Sequence, residues 1–253
     1  MRELPSKDNQ LSLDATLERA VEALKFHYPS LRGDHLDLGA GTGALIHRLR
    51  RDFNIKSRAC DYTDRFMRLD DVAVDVVDLN MGVLPYEDQA FDLVTFTEVA
   101  EHLENYRAII REIYRVLKPG GVILITTPNI LNLKSRMRFL VTGFWSMFGP
   151  LHVGETAIES TGGHITPISY PYLAHALMDA GFSMPYVTMD KPQFPSLMGL
   201  VLLGVPIRIF AALSWRKERN KYGTIDEHNY PIIETINRYE MLVGRSIVVV
   251  AEK

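Results

Sequence analysis

The chain has little from which to build a covalently stapled scaffold. Cys60 is its only cysteine, so an intrachain disulfide is excluded and no thiolate metal cluster is available. Basic charge is not in surplus either: 28 Lys and Arg against 31 Asp and Glu give a formal net charge of −3. That balance argues against a partner held mainly by phosphate contacts, and no nucleic acid is expected. The start, Met1-Arg2-Glu3-Leu4-Pro5-Ser6-Lys7-Asp8, lacks the apolar core of a signal peptide, which with the lone cysteine predicts a cytoplasmic location. No internal repeat or low-complexity tract is present. With 47% apolar and 23% charged residues over 253 positions, the composition is that of one folded domain of substantial core rather than of a disordered chain.

What is present is concentrated near residue 40. Leu36-Asp37-Leu38-Gly39-Ala40-Gly41-Thr42-Gly43 reads as an apolar strand ending in an acidic residue, then three glycines at alternate positions, then a helix from Ala44. Glycine lets the chain turn tightly off a strand and brings backbone N–H groups against a ligand, while the helix N-terminus favours negative charge. A dinucleotide site reads G-x-G-x-x-G. Here the glycines run G-x-G-x-G, which favours a nucleoside without a pyrophosphate.

Strand-like and helix-like patterns alternate along the chain, the signature of a parallel sheet with crossover helices. Helices are predicted over 14–28, with Asp14 as N-cap, and over 43–53, 104–117 and 169–180; strands over 35–39, 57–60, 72–77, 91–96, 122–126, 182–189 and 245–251. In the helix at 104–117, Tyr106, Ile109, Ile110, Ile113, Tyr114 and Leu117 share one face. Pro119-Gly120-Gly121 is read as its stop. Two long insertions, 128–166 and 191–244, interrupt this plan, and long connections in a compact domain are usually functional.

Asp37 to Gly43 resemble motif I of the class I S-adenosylmethionine-dependent methyltransferases, of the small-molecule type similar to the ubiquinone-biosynthesis-like enzymes. The similarity continues through Asp61, Asp78, Phe91-Asp92, Glu101-His102-Leu103 and Leu117-Lys118-Pro119-Gly120-Gly121. It covers residues 34–127, with a weaker tail around 164–182. The resemblance implies an α/β, doubly wound Rossmann-like sheet of seven strands in the order 3-2-1-4-5-7-6, strand 7 antiparallel, in a single domain whose two insertions form a substrate lid or cap. It implies S-adenosylmethionine as cofactor, with S-adenosylhomocysteine as product. Gly39, Gly41 and Gly43 would line its methionine and ribose side, Thr97 and Glu98 would meet its methionine portion, and Asp78 and Leu79 would read its adenine. Asp61, at the end of the second strand, suits the ribose hydroxyls, because a carboxylate accepts from both; the plainer reading is a turn aspartate. Asp37 either contacts the methionine amine or braces backbone N–H groups.

Methyl transfer needs alignment and exclusion of water more than a nucleophile. A hydroxyl acceptor would gain about 10²–10⁴-fold from a general base. His164, in Gly162-Gly163-His164-Ile165-Thr166-Pro167, is the preferred candidate, with His102 and His152 as others. His102 equally fits a capping network with Glu98 and Glu101, and His164 a turn anchor. His152 and Glu155 lack companion ligands, so no metal is expected. The acceptor is expected to be a small molecule, apolar or glycan-linked, methylated on oxygen. Two apolar segments, 139–148 and 197–213, leave open a lid, an oligomer contact, a peripheral membrane contact or a buried hairpin. Pro206 and Arg208 interrupt the second run, which argues against spanning. An NAD-linked oxidoreductase and a non-catalytic cofactor-binding scaffold stand as the alternative functions.

Overall fold

The computed structural model describes residues 7–151 and 163–253, with side chains of the first helix described from Asp14 onward. Among these residues, strands β1 (Arg32–Leu38), β2 (Asn54–Asp61), β3 (Val74–Val76), β4 (Phe91–Thr97), β5 (Leu117–Pro128), β6 (Tyr186–Met189) and β7 (Ser246–Glu252) form one sheet. Its order is β3-β2-β1-β4-β5-β7-β6, as the resemblance implies. Strands β1 to β5 pair in parallel, whereas β7 runs antiparallel to both β5 and β6.

Alternation along the strands divides the core between the two sheet faces. Val122 and Leu124 of β5 pack with Leu17, Val21 and Leu24 of α1 (Lys7–His27) and with Leu45 and Leu49 of α2 (Ala44–Asp52). Ile123 and Ile125 turn the other way, onto Ile109, Ile110 and Ile113 of α3 (Tyr106–Val116) and Leu173 and Leu177 of α5 (Tyr170–Ala180). The helix α1 begins ahead of the Asp14 cap read from the sequence. The Asp14 carboxylate lies 2.6 Å from the Arg48 guanidinium, so it ties α1 to α2 rather than starting a helix. Strand β5 also begins earlier than expected, at Leu117, and takes Pro119-Gly120-Gly121 into it. The helix before it ends because Lys118 precedes a proline and is pushed to extended backbone.

Both insertions leave the sheet at the end that carries the glycine loop. The first holds α4 (Leu133–Thr142), started by the Asn132 side chain accepting the Ser135 N–H at 2.8 Å. The second holds α6 (Phe194–Lys217), a π-type turn (Glu218–Tyr222), α7 (Tyr230–Thr235) and α8 (Tyr239–Val243). The helices α4 and α6 approach closely where a Cβ on Gly199 would lie 3.2 Å from that of Leu133. Two expectations for this region change. Pro206 does not end the helix, which runs through it for 24 residues, and the segment is not a buried hairpin: Val201, Leu202 and Phe210 are 83%, 73% and 71% exposed. Among the described residues it is the one helix long and apolar enough to cross a membrane, by length and composition.

Candidate active site

The glycine loop leaves β1 with Gly39, Gly41 and Gly43 all at positive φ, backbone that other residues adopt only under strain. Their surroundings differ. A Cβ on Gly39 would meet Val99 Cγ2 at 2.2 Å, and one on Gly43 would meet Leu69 and Met67 at 2.8 Å, but one on Gly41 would meet nothing within 4 Å. Gly39 and Gly43 therefore admit neighbouring chain, and Gly41 borders open space. Asp61 braces this loop: Oδ2 accepts the Gly41 N–H at 2.8 Å and Oδ1 the Tyr62 N–H at 2.7 Å. A carboxylate offers about four lone-pair sites, so the ribose role and the turn role are compatible in one side chain. Beyond the loop, α2 opens with no acidic residue in its first turn, leaving its positive end for a ligand carboxylate. An open cradle, spare carboxylate lone pairs and an uncompensated helix start fit a nucleoside that bears an amino acid.

Asp37 is buried and accepts a hydrogen bond from the Thr95 hydroxyl at 2.6 Å. Thr95 is in turn 2.8 Å from His35 Nε2, and His35 Nδ1 is 3.0 Å from the Ser57 hydroxyl. Since Thr95 donates to Asp37, it accepts from His35 Nε2–H, and Nδ1 accepts from Ser57. Burial holds the imidazole neutral, with its pKa lowered to about 3. Burial also raises the Asp37 carboxyl to about 7, opposed by the Thr95 hydrogen bond and assisted by the negative charge of Asp61. Asp78 accepts the Asn80 N–H at 2.9 Å and caps the short turn Leu79–Met81, whose Leu79 is buried in the core.

The chain leaves β4 through Glu98, a non-glycine residue at φ 54. Such strain persists where surrounding contacts impose it. Here Glu98 N–H donates to the Thr126 carbonyl at 3.0 Å, and the Thr126 hydroxyl donates to Glu98 Oε1 at 3.0 Å. The turn Ala100–His102 follows. Glu101 is wholly buried, accepts the Thr127 hydroxyl at 3.1 Å on Oε2, and receives the Ile165 and Thr166 N–H groups on its backbone carbonyl. Burial raises the carboxyl of Glu98 and drives that of Glu101 well above its ordinary range, the charge of Glu98 adding to the latter. His102 Nδ1 sits 3.0 Å from the Gly163 carbonyl. The His102 and His164 rings meet edge to face at 4.8 Å between centroids. Burial lowers the pKa of both, that of His164 to about 4.

The fold thus brings Asp37, Gly39, Gly41, Gly43, Asp61, Asp78, Leu79, Thr97 and Glu98 to the carboxyl ends of β1 to β4, where open α/β sheets bind ligands. His102 and His164, far apart in sequence, become neighbours. His152 and Glu155 lie outside the described residues. Glu101 was legible as part of the Glu101-His102-Leu103 motif and of a polar run, but its approach to His164 had no local signal. A cleft of about 570 Å³ lined by Arg32, Asp34, Lys56, Asp92 and Lys118 opens at the opposite, amino edge of the sheet, with Lys118 already 2.6 Å from Asp92.

Comparison with known proteins agrees with this geometry. Residues 36–125 match the family described as Methyltransferase domain. An uncharacterized protein of Methanocaldococcus jannaschii is 37% identical over 106 residues, 42% of this chain and 48% of that one. The ubiquinone/menaquinone biosynthesis C-methyltransferase of Desulfotalea psychrophila is 30% identical over 109 residues, 40% and 44% of the two chains. The alignments thus span about half the length of these curated relatives. The crystal structure of a SAM dependent methyltransferase from Archaeoglobus fulgidus superposes with a TM-score of 0.57 at 18% identity, over 94% of each chain. The fold is that of the Rossmann-like methyltransferases. The segment from β1 to β5 matches the Methyltransferase domain family and is similar to S-adenosylmethionine-dependent methyltransferases, the ubiquinone-biosynthesis types among them.

Two outcomes are expected. Between pH 4 and 7 the folded chain keeps a proton on Asp37 that the unfolded chain releases, so this residue costs stability as pH rises, in full above pH 7. Asp37→Asn should stabilise the ligand-free protein by about 1–3 kcal/mol at pH 8 and leave it unchanged near pH 4, read from denaturant melts at both values. Gly41→Ala should cost about 1–2 kcal/mol of stability for its left-handed backbone, yet lower S-adenosylmethionine affinity by about tenfold or more in calorimetry, because the methyl enters the open cradle. Unchanged affinity would place the cofactor elsewhere.

Proposed function

We propose that this chain transfers a methyl group from S-adenosylmethionine to an oxygen of a small apolar acceptor, taken up beneath the cap made by α4 and α6. The observation that carries the reading is the contact of Val99 with Gly39. It sets the cofactor loop against the turn that bears Glu101 and His102, so donor and acceptor sides share one wall. When bound, the cofactor supplies an electrophilic methyl: the acceptor oxygen forms the new C–O bond, the C–S bond breaks with its electron pair left on sulfur, and the hydroxyl proton goes to solvent. The protein's part is alignment and dryness. Burial keeps the His102 and His164 imidazoles neutral, so their lone pairs can accept from an acceptor hydroxyl. Phe148, 5.2 Å from His164 between ring centroids, brings an apolar wall from the first insertion to that histidine.

The same cap supports a peripheral membrane contact through which an apolar acceptor enters. Exposed Phe194, Met198, Val201, Leu202, Val205, Ile209 and Phe210 line α6, and exposed Leu140 and Val141 extend the apolar surface onto α4. Arg216, Lys217, Arg219 and Lys221 follow the apolar run, a pattern suited to an anionic interface.

The decisive assay incubates the protein with methyl-labelled S-adenosylmethionine and matched long-chain phenols, amines and carbon acids in vesicles, reading products by mass spectrometry. Methylated phenol is expected; methylation of the amine or carbon acid alone would overturn the oxygen assignment, and cofactor binding with no turnover on any acceptor would return the scaffold reading. Val201→Glu with Leu202→Glu should reduce sedimentation with anionic vesicles by about tenfold, without changing S-adenosylmethionine affinity. Equal sedimentation of wild type and variant would remove the membrane contact.

A further inference from the structure

We propose that Glu101, His102 and His164 form a site for one divalent transition-metal ion. A carboxylate oxygen of Glu101 and one ring nitrogen of each histidine all lie within 4.8 Å of one another. In an occupied site, ligand atoms about 2.0–2.2 Å from the ion stand roughly 3–4 Å apart, so small rotamer adjustments close the set.

The partners of the three side chains fix which atoms face inward. A carbonyl only accepts, so His102 Nδ1 carries the proton it shares with Gly163, and Nε2 is left with its lone pair. His164 Nδ1 is buried with no hydrogen-bond partner, while its ring is held by the backbone of Met147. Glu101 Oε2 is taken by the Thr127 hydroxyl, and Oε1 is buried with no partner. Once a cation displaces the proton that burial favours on Glu101, three acceptors converge on it with no donor among them. Each buried polar atom left unsatisfied costs about 1–3 kcal/mol; Glu101 Oε1 and His164 Nδ1 are two such atoms, and a cation shared with His102 Nε2 answers both at once. Gly163, Met147 and Thr127 then play the outer part that orients metal ligands: backbone carbonyls on the far side of imidazoles and a hydroxyl on the carboxylate. Two backbone N–H groups, of Ile165 and Thr166, pin the His164 segment to the Glu101 carbonyl at 3.0 and 2.9 Å.

Two imidazoles and one carboxylate select a borderline ion such as Zn²⁺, Mn²⁺, Co²⁺ or Fe²⁺ over Mg²⁺ or Ca²⁺, which prefer all-oxygen shells. Three protein ligands leave positions open. What the ion does there rests on the methyl-transfer reading: an acceptor hydroxyl bound at an open position becomes more acidic, its proton passes to solvent, and its oxygen is held for attack on the methyl carbon. Both histidines are then ligands, and no protein base is required.

Binding itself is independent of that chemistry and is measured without cofactor or acceptor. Tag-free protein, stripped with a chelator, is titrated with Co²⁺ by equilibrium dialysis and visible absorption, and Zn²⁺ is used as competitor. One Co²⁺ per chain, displaced by Zn²⁺, is expected. Its affinity should fall by at least about tenfold in His102→Ala, in His164→Ala and in Glu101→Gln, the last of which keeps the side-chain shape and the Thr127 contact. Thermal melts identify variants that stay folded. Absence of saturable Co²⁺ binding by folded wild type, or equal affinity in the folded variants, would overturn the site even if methyl transfer is observed.

Discussion

The carboxyl edge of this sheet is organised by the approach of Val99 to Gly39. No side chain fits at residue 39, because the valine occupies the place a Cβ would take. That contact requires the chain to leave β4 abruptly, which it does through the positive φ of Glu98. The turn that follows then sits over the glycine loop, and its Glu101 carbonyl captures the backbone of residues 165 and 166. One van der Waals constraint thus couples the loop after β1, the exit from β4 and the return of the chain into α5.

Most of the frame was legible because its signals are local. The apolar strand before Gly39, the alternate glycines, the face of α3 and the apolar run of β7 each point one way over a few residues, and the strand order followed from the resemblance they carry. Local signals misled where a side chain had a distant use. Asp14 looked like a cap but answers Arg48. Pro206 looked like a break, but a helix tolerates it where tertiary packing holds the chain on both sides, and α6 has such neighbours in α4 and α8. The meeting of His102 with His164 was not legible, since nothing in either segment encodes a partner sixty residues away; only the backbone bonds from Glu101 do that.

Electrostatics sharpen the division between the two halves of the site. Asp61 is anchored by the backbone N–H groups of Gly41 and Tyr62, whereas Asp37, Glu98 and Glu101 are buried and their carboxyls are pushed upward. Arg245 is the cation that offsets Glu98 and Glu101, and it is itself held 2.8 Å from Asp190.

The position of the two insertions has a consequence for how such a chain can diversify. Both follow the carboxyl ends of strands, after Pro128 of β5 and after Met189 of β6, and their first residues stay tied to the sheet edge, Asn129 N–H donating to the Arg245 carbonyl and Pro192 bridging Gly244. Between those anchored ends, length and composition can change without touching the β5–β7 and β6–β7 ladders. On the methyl-transfer reading proposed above, an acceptor preference carried by these insertions is separable from recognition by the glycine loop, so one substrate can be traded for another while the donor side stays intact.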